Sequence, residues 1–241
     1  MVGLTTREMS VFYHGDVYKI LDGQIKDKSI DLIYIDPPFG TTGQWWDSKL
    51  NWEKLFEHFF RVLKNTGMLV IHCSIPFNYE LIKAAPKPPS YTWYWDKQEC
   101  TNYLNANNQP LRRMEEILVW KNKKVSYYRQ QIGDEITSRK SCKKNDYVEG
   151  SLYDNTLTIQ GKTRSNLISM KRHTQGFSTR PAELVKLMID SYSKPGDTIL
   201  DCFCYKGLSY TQSAGRKWVG IDLNFIPPVL IDGSSKESRT P

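Results

Sequence analysis

The sequence predicts an α/β fold built on a doubly wound, mostly parallel sheet. Apolar runs of strand length alternate with stretches whose apolar residues recur at helical spacing. The first clear strand stops at a proline pair, and the next periodic segment is helical. With 241 residues, 39% hydrophobic and 24% charged, the chain fits one soluble globular domain with a full core of its own.

The elements follow in order. Ser29–Ile35 (SIDLIYI) is a β-rich run ending at Asp36-Pro37-Pro38. Positions 52, 55, 56, 59, 60 and 63 are apolar at helical spacing, which predicts a helix from Trp52 to Lys64, ending near Asn65 and Gly67. Gly67–His72 reads as a buried strand, and Pro76–Ala85 as a short helix stopped by Pro86, Pro88 and Pro89. Tyr91–Trp95 and Glu116–Trp120 are further strands around a polar loop, Thr101–Gln109. Pro181 opens a helix to about Ser193, with Leu184, Val185, Met188, Ile189 and Tyr192 inward. A strand at Thr198–Phe203, a short helix from about Gly207 and a strand at Lys217–Ile221 close the pattern, and residues 232–241 read as a frayed polar tail.

Several classes are excluded. The longest apolar runs, such as Met68–Ile71 and Ile117–Trp120, fall far short of the roughly 20 residues a membrane span needs. The N-terminus lacks the apolar stretch of a secretory signal, so the chain is expected in the cytoplasm of a bacterium or of a phage-infected host cell. Five cysteines without a Cys-x-x-Cys pair, and four histidines without ligand spacing, predict reduced thiols and no metal site.

The net charge of +7 is concentrated in one place. Residues 121–172 hold twelve basic and five acidic residues, and the remainder is balanced at 21 of each. This segment, interleaved with Tyr127, Tyr128, Tyr147 and Tyr153, divides the chain into a core (1–120 and 173–231) and a basic insert (121–172). Lys121, Lys123, Lys124, Arg129, Arg139, Lys140, Lys143, Lys144 and Arg164 are the candidates for contact with a phosphate backbone. A solvated insert that keeps the protein soluble is the alternative on charge alone.

In open α/β sheets ligands sit beyond the carboxyl ends of the strands, where Asp36-Pro37-Pro38-Phe39 lies. Asp36 and the Pro37 carbonyl offer two acceptors for an exocyclic amine, which would orient its lone pair towards a methyl donor. The paired prolines stiffen that carbonyl, and Phe39 offers a face for a planar base. In a duplex such an amine is reached only after the base is flipped out. A plain turn, with Asp36 capping and Phe39 in the core, is the competing reading of the tetrapeptide.

The wider context resembles the β-class amino-methyltransferases of DNA, especially the small phage and prophage adenine-N6 enzymes. HGDVYKIL, KSIDLIYIDPPFGTT and WDSKLNWEKLFEHFFRVLK carry the likeness between Tyr13 and Lys64. It continues through Gln109–Lys121 and Ser178–Met188, and closes with GDTILDCFCYKGLS and RKWVGIDLN. The order, catalytic tetrapeptide first and cofactor loop last, matches that family's permuted arrangement. The resemblance implies a Rossmann-like methyltransferase fold, S-adenosylmethionine as donor and double-stranded DNA as substrate, with the basic insert as target-recognition region. By position, Asp16 and Val17 would meet the donor's adenine, and Asp36 and Pro37 the target amine. Pro38 completes the turn, and Phe39 would stack on the base. Asp36, Thr179, Arg180, Pro181, Asp201, Phe203, Gly207, Ser209 and Asn224 would line the donor site, and Asp222 would meet the ribose hydroxyls. An initial Asp, not Ser, in the tetrapeptide favours adenine-N6 over cytosine-N4. Many relatives pair, which leaves a homodimer open.

One segment departs from the family pattern Asp-Pro-Phe-x-Gly-Ser-Gly-Thr-Thr. Here Asp201-Cys202-Phe203-Cys204-Tyr205-Lys206-Gly207-Leu208-Ser209 puts Tyr205 where the first glycine stands, a cation at 206 and no hydroxyl at 208. Tyr205 reaches φ > 0 less cheaply than glycine. Three outcomes stay open: a refolded loop that binds, weakened binding, or lost catalysis with nucleic-acid or partner binding retained. Trp45 and Trp46 are candidates for a wall beside the base or for packing against the Trp52 helix. Trp93 and Trp95 read as core, the Asn102–Asn108 loop as a turn, and His72 and His173 as non-catalytic.

Overall fold

A computed structural model describes residues 10–40, 49–140, 156–173 and 180–224. The chain divides into two compact units, residues 129–165 and everything else. The smaller unit is shorter at both ends than the charge-defined insert.

In the larger unit, β1 (Val11–His14), α1 (Val17–Gln24), β2 (Ile30–Ile35), α2 (Trp52–Val62) and β3 (Leu63–Cys73) alternate along the chain. After α3 (Phe77–Ala84) come two antiparallel strands, β4 (Tyr91–Thr101) and β5 (Arg112–Lys121). The smaller unit holds an antiparallel pair, β6 (Gln131–Lys140) and β7 (Thr156–Thr163). The larger unit resumes with β8 (Leu167–Ser169), α4 (Ala182–Tyr192), β9 (Thr198–Asp201), α5 (Leu208–Thr211) and β10 (Lys217–Asp222). The main sheet runs β1-β10-β9-β2-β3-β5-β4-β8, and every strand but β5 points the same way.

Central strands read as unbroken apolar runs because both faces are covered. Ile33, Ile35, Leu69 and Ile71 face the layer of α1, α2 and α3, while Leu32, Tyr34, Met68 and Val70 face α4. Helix α2 buries Trp52, Leu55, Phe56, Phe59 and Val62, and Asn51 caps it by accepting from the Lys54 amide at 3.0 Å. It ends at Val62, two residues before the predicted Lys64, because Leu63 is already extended and pairs with Ile30. The five inward residues predicted for α4 are all buried. Among the described residues no helix is long and apolar enough to cross a membrane, and no group of His, Cys, Asp or Glu could hold a metal ion.

Candidate active site

Four adjacent strands deliver four aspartates to one edge of the sheet. His14 pairs with Asp222, Gly220 with Asp201, and Ile33 with Leu200. Asp16, Asp222, Asp201 and Asp36 therefore follow one another along the carboxyl ends of β1, β10, β9 and β2. This is the edge where an open α/β sheet takes its ligand.

Asp36 does not stand alone. Arg180, just before α4 and only 7% exposed, places Nη2 at 2.6 Å from Asp36 Oδ1 and Nη1 at 2.6 Å from Glu115 Oε2. Glu115 Oε1 in turn lies 3.1 Å from Nζ of the buried Lys97, and the guanidinium sits 5.4 Å above the Trp95 ring. The result is a chain of alternating charge, Lys97–Glu115–Arg180–Asp36, buried at Lys97 and Arg180 and partly exposed at Asp36. Burial raises the Asp36 carboxyl pKa and Arg180 opposes it, while Glu115 adds to the rise. Burial disfavours the Arg180 charge, but Asp36 and Glu115 more than offset it, so its pKa lies above the usual value. Below this chain, the Tyr34 hydroxyl and His72 Nε2 meet at 2.8 Å. Burial raises the Tyr34 pKa and lowers that of His72, so the pair is neutral.

The aromatic side of the site joins the catalytic turn to the donor loop. Phe39 stacks on Phe77 with ring centres 4.9 Å apart, and Trp52 meets Phe77 edge-on at 5.3 Å and Phe203 at 6.4 Å. Phe39 is partly buried, packed against the edge of the core and stacked on Phe77. Among the described residues Asp36 accepts from the Arg180 guanidinium.

In the Asp201–Ser209 loop, Tyr205 takes the left-handed conformation. That residue adopts φ 42°, held by a 2.8 Å bond from its amide to Asp222 Oδ2, and Gly207 follows at φ 77°. Lys206 turns its ammonium over the Tyr205 ring at 5.3 Å. Leu208 begins α5, and Ser209 is buried, donating to Asp201 and accepting from Trp218 Nε1. Burial raises the Asp201 pKa to about 7, against the bonds from Ser209 and the Phe203 amide. No cation pairs with Asp201 among the described residues, so a cationic ligand at this end of the edge would supply what burial lacks. Asp222 accepts from the amides of Tyr205 and Asn224. These residues fit a donor that carries an amine, ribose hydroxyls and a positive charge.

Asp16 caps α1 through the Lys19 amide at 3.0 Å, and Val17 is buried in the core. Pro181 precedes the first turn of α4, while Thr179, Trp45 and Trp46 lie outside the described residues. Strand β5 runs against its neighbours, so Lys121 pairs with Met68 and the Lys123 and Lys124 amides bond the Asn65 carbonyl, at the end of the sheet opposite Asp36. Arg129 and Arg164 belong to the smaller unit, Arg139 and Lys140 lie on β6, and Lys143 and Lys144 are outside the described residues.

Lys97 and Glu115 were missed, yet both leave a signal. Trp93, Trp95 and Lys97 alternate on one buried face of β4, and Glu115, Ile117 and Val119 do so on β5. A charge continuing an apolar alternation needs a buried partner.

The Asp36 turn thus stands at the carboxyl edge of a doubly wound sheet, in line with Asp201, Asp222 and Asp16. A family model described as DNA methylase matches residues 30–225, and the chain belongs to that family of S-adenosylmethionine-dependent enzymes acting on N6 or N4 amines. It is 27% identical to the type II methyltransferase M2.LlaDCHI of Lactococcus lactis subsp. cremoris, over 90% of this chain and 85% of the relative. Among solved structures, the M1.HpyAVI–SAM complex superposes with a TM-score of 0.59 at 18% identity, over 90% of this chain and 94% of that one. The cytosine-N4-specific PvuII DNA methyltransferase gives 0.61 at 13%, over 92% and 86%. These two likenesses confirm the fold.

Proposed function

We propose that this chain methylates the exocyclic N6 amine of adenine within a short sequence of duplex DNA, after the base is flipped out. The observation that carries this reading is the position of Asp36: it follows β2 at the carboxyl end, beside β9, which leads into the Asp201–Ser209 loop, and opens the turn that carries the partly exposed Phe39 ring. Oδ1 accepts from Arg180, and Oδ2 and the Pro37 carbonyl would accept from the two amine hydrogens. Oriented in this way, the nitrogen lone pair points out of the base plane, where the positive charge that develops on transfer is stabilised by the carboxylate. The bound donor supplies an electrophilic methyl group, and the amine loses one proton in exchange for it. No general base is required if the proton leaves after transfer. An initial Asp, as in DPPF, supports adenine over cytosine. The basic β6–β7 unit serves as the backbone-contacting part of target recognition.

The decisive experiment is transfer of labelled methyl to unmodified genomic DNA, followed by nucleoside analysis, with Asp36→Ala as control. N6-methyladenine formed by the wild type and absent with Asp36→Ala supports the reading. N4-methylcytosine replaces the base assignment, and no transfer, together with no heat of donor binding, makes the protein a non-catalytic DNA-binding relative.

A further inference from the structure

Beside the carboxyl edge stands a feature the reaction itself does not explain. The asparagine-rich loop between β4 and β5 carries two large apolar side chains at its tip, where Tyr103 is 66% and Leu104 100% exposed. Exposed leucines are common, but this one is held outward by a preformed turn. Asn102 takes the left-handed conformation (φ 72°, ψ 35°), and the Asn105 amide and side-chain Nδ2 bond its carbonyl and Oδ1 at 3.0 and 2.8 Å. The amides of Ala106, Asn108 and Gln109 close on Tyr103 and Asn105. The turn is therefore fixed by its own bonds, and Leu104 packs on nothing.

Its base is tied to the reacting group. The Lys97 ammonium that ends the charge chain also donates to Thr101 Oγ1 at 3.1 Å, and Thr101 Oγ1 donates to the Arg112 carbonyl at 3.1 Å. Asp36, Arg180, Glu115, Lys97 and Thr101 thus form an unbroken path from the catalytic carboxylate to the neck of the loop. Arg113 is fixed there too, by a fork on Asp96 at 2.6 and 2.8 Å, and the exposed Arg112 places a cation at the same neck.

We infer that residues 102–109 are the wedge that enters the duplex, with Leu104 filling the gap left in the base stack when the target turns out towards Asp36. This rests on the proposed base-flipping reaction and names the element that performs it. An apolar side chain is suited to that gap because it covers the faces of the neighbouring bases without competing for their hydrogen bonds. The surrounding Asn105, Asn107 and Asn108 meet the polar groove, and a rigid turn avoids the cost of ordering the tip on entry.

The test uses a duplex carrying the methylated site, located by sequencing DNA modified by the wild type. Leu104 makes no contact within the protein, so Leu104→Ala leaves the fold and donor affinity unchanged. It is expected to slow transfer to the matched duplex by about tenfold or more. Replacing the base opposite the target by an abasic site, which removes the need to break the pair, brings the variant back to within about threefold of the wild type. With 2-aminopurine at the target position, wild-type protein raises the fluorescence and Leu104→Ala raises it less. A wild type that methylates while Leu104→Ala matches it on every duplex overturns the wedge alone, as does a loss equal on paired and abasic substrates. A wild type that transfers no methyl to any DNA overturns the wedge and the proposed reaction together.

Discussion

Neutralising Glu115 tests whether the charge chain sets the state of Asp36. In the wild type, Lys97, Glu115, Arg180 and Asp36 alternate in sign and cancel. Glu115→Gln keeps the volume and one carbonyl acceptor, but leaves one positive charge in excess beside the buried Arg180 and Lys97. Breaking a buried pair costs about 3–5 kcal/mol, and the retained acceptor puts this variant near 3 kcal/mol. For a domain of this size that lowers Tm by roughly 6–12 °C. The second readout is a direction. Glu115 raises the Asp36 pKa and Arg180 lowers it. Glu115→Gln removes the first influence, so the Asp36 pKa falls and the acid limb of the methyl-transfer pH profile moves to lower pH. Arg180→Gln removes the second, so that limb moves to higher pH. Thermal melts and pH–rate profiles of both variants decide the matter. If both limbs move the same way, or Glu115→Gln unfolds within about 1 kcal/mol of the wild type, the charge chain does not control the site.

Three other changes separate the remaining parts. Asp201 has a pKa of about 7 in the fold against 3.8 ordinarily, so the folded state holds an extra proton between those values. Its contribution to stability is full below about pH 4 and lost as pH rises through 7, on the order of 4 kcal/mol in all. Melts between pH 5 and 8.5 should therefore show a wild-type Tm that falls with pH, and an Asp201→Asn Tm that falls much less. Tyr205→Gly removes the strain of φ 42°, already present in the free protein, and should raise stability by about 1 kcal/mol in urea unfolding, whereas Tyr205→Ala keeps that strain and should not. Gly220→Ala would put a Cβ 1.9 Å from the buried Trp218 ring, and should cost about 3 kcal/mol in urea unfolding.

The parts of the molecule legible in the sequence are those whose cause is local. Strands β2 and β3 show as apolar runs because helices cover both their faces, and α2 and α4 show because each buries one stripe. Asp36 stands out because prolines end its strand, and Asp201 and Asp222 because each closes an apolar run. The β6–β7 pair was hidden by its polar, basic composition. The Arg180–Asp36 contact was hidden by distance, since 144 residues separate its partners and only the sheet brings them together. The antiparallel course of β5 was equally silent, and it alone moves Lys121, Lys123 and Lys124 to the far edge. Charge counts locate a basic segment in the chain but not on the surface.

The carboxyl edge divides its two ligands by charge. Among the described residues Asp201 is buried without a cation, so a positively charged donor would lower the cost of ionising it. Asp36, partly exposed, already has Arg180, so a second cation gains little there and a neutral amine is the better partner. The two aspartates therefore prefer opposite partners, because only one of them is compensated by a described residue. It follows that donor binding near pH 7 expels a proton from Asp201 and none from Asp36. Calorimetry in buffers of different ionisation enthalpy reads that proton directly: its release should persist in Asp36→Asn and vanish in Asp201→Asn. The reverse pattern would exchange the two roles along the edge.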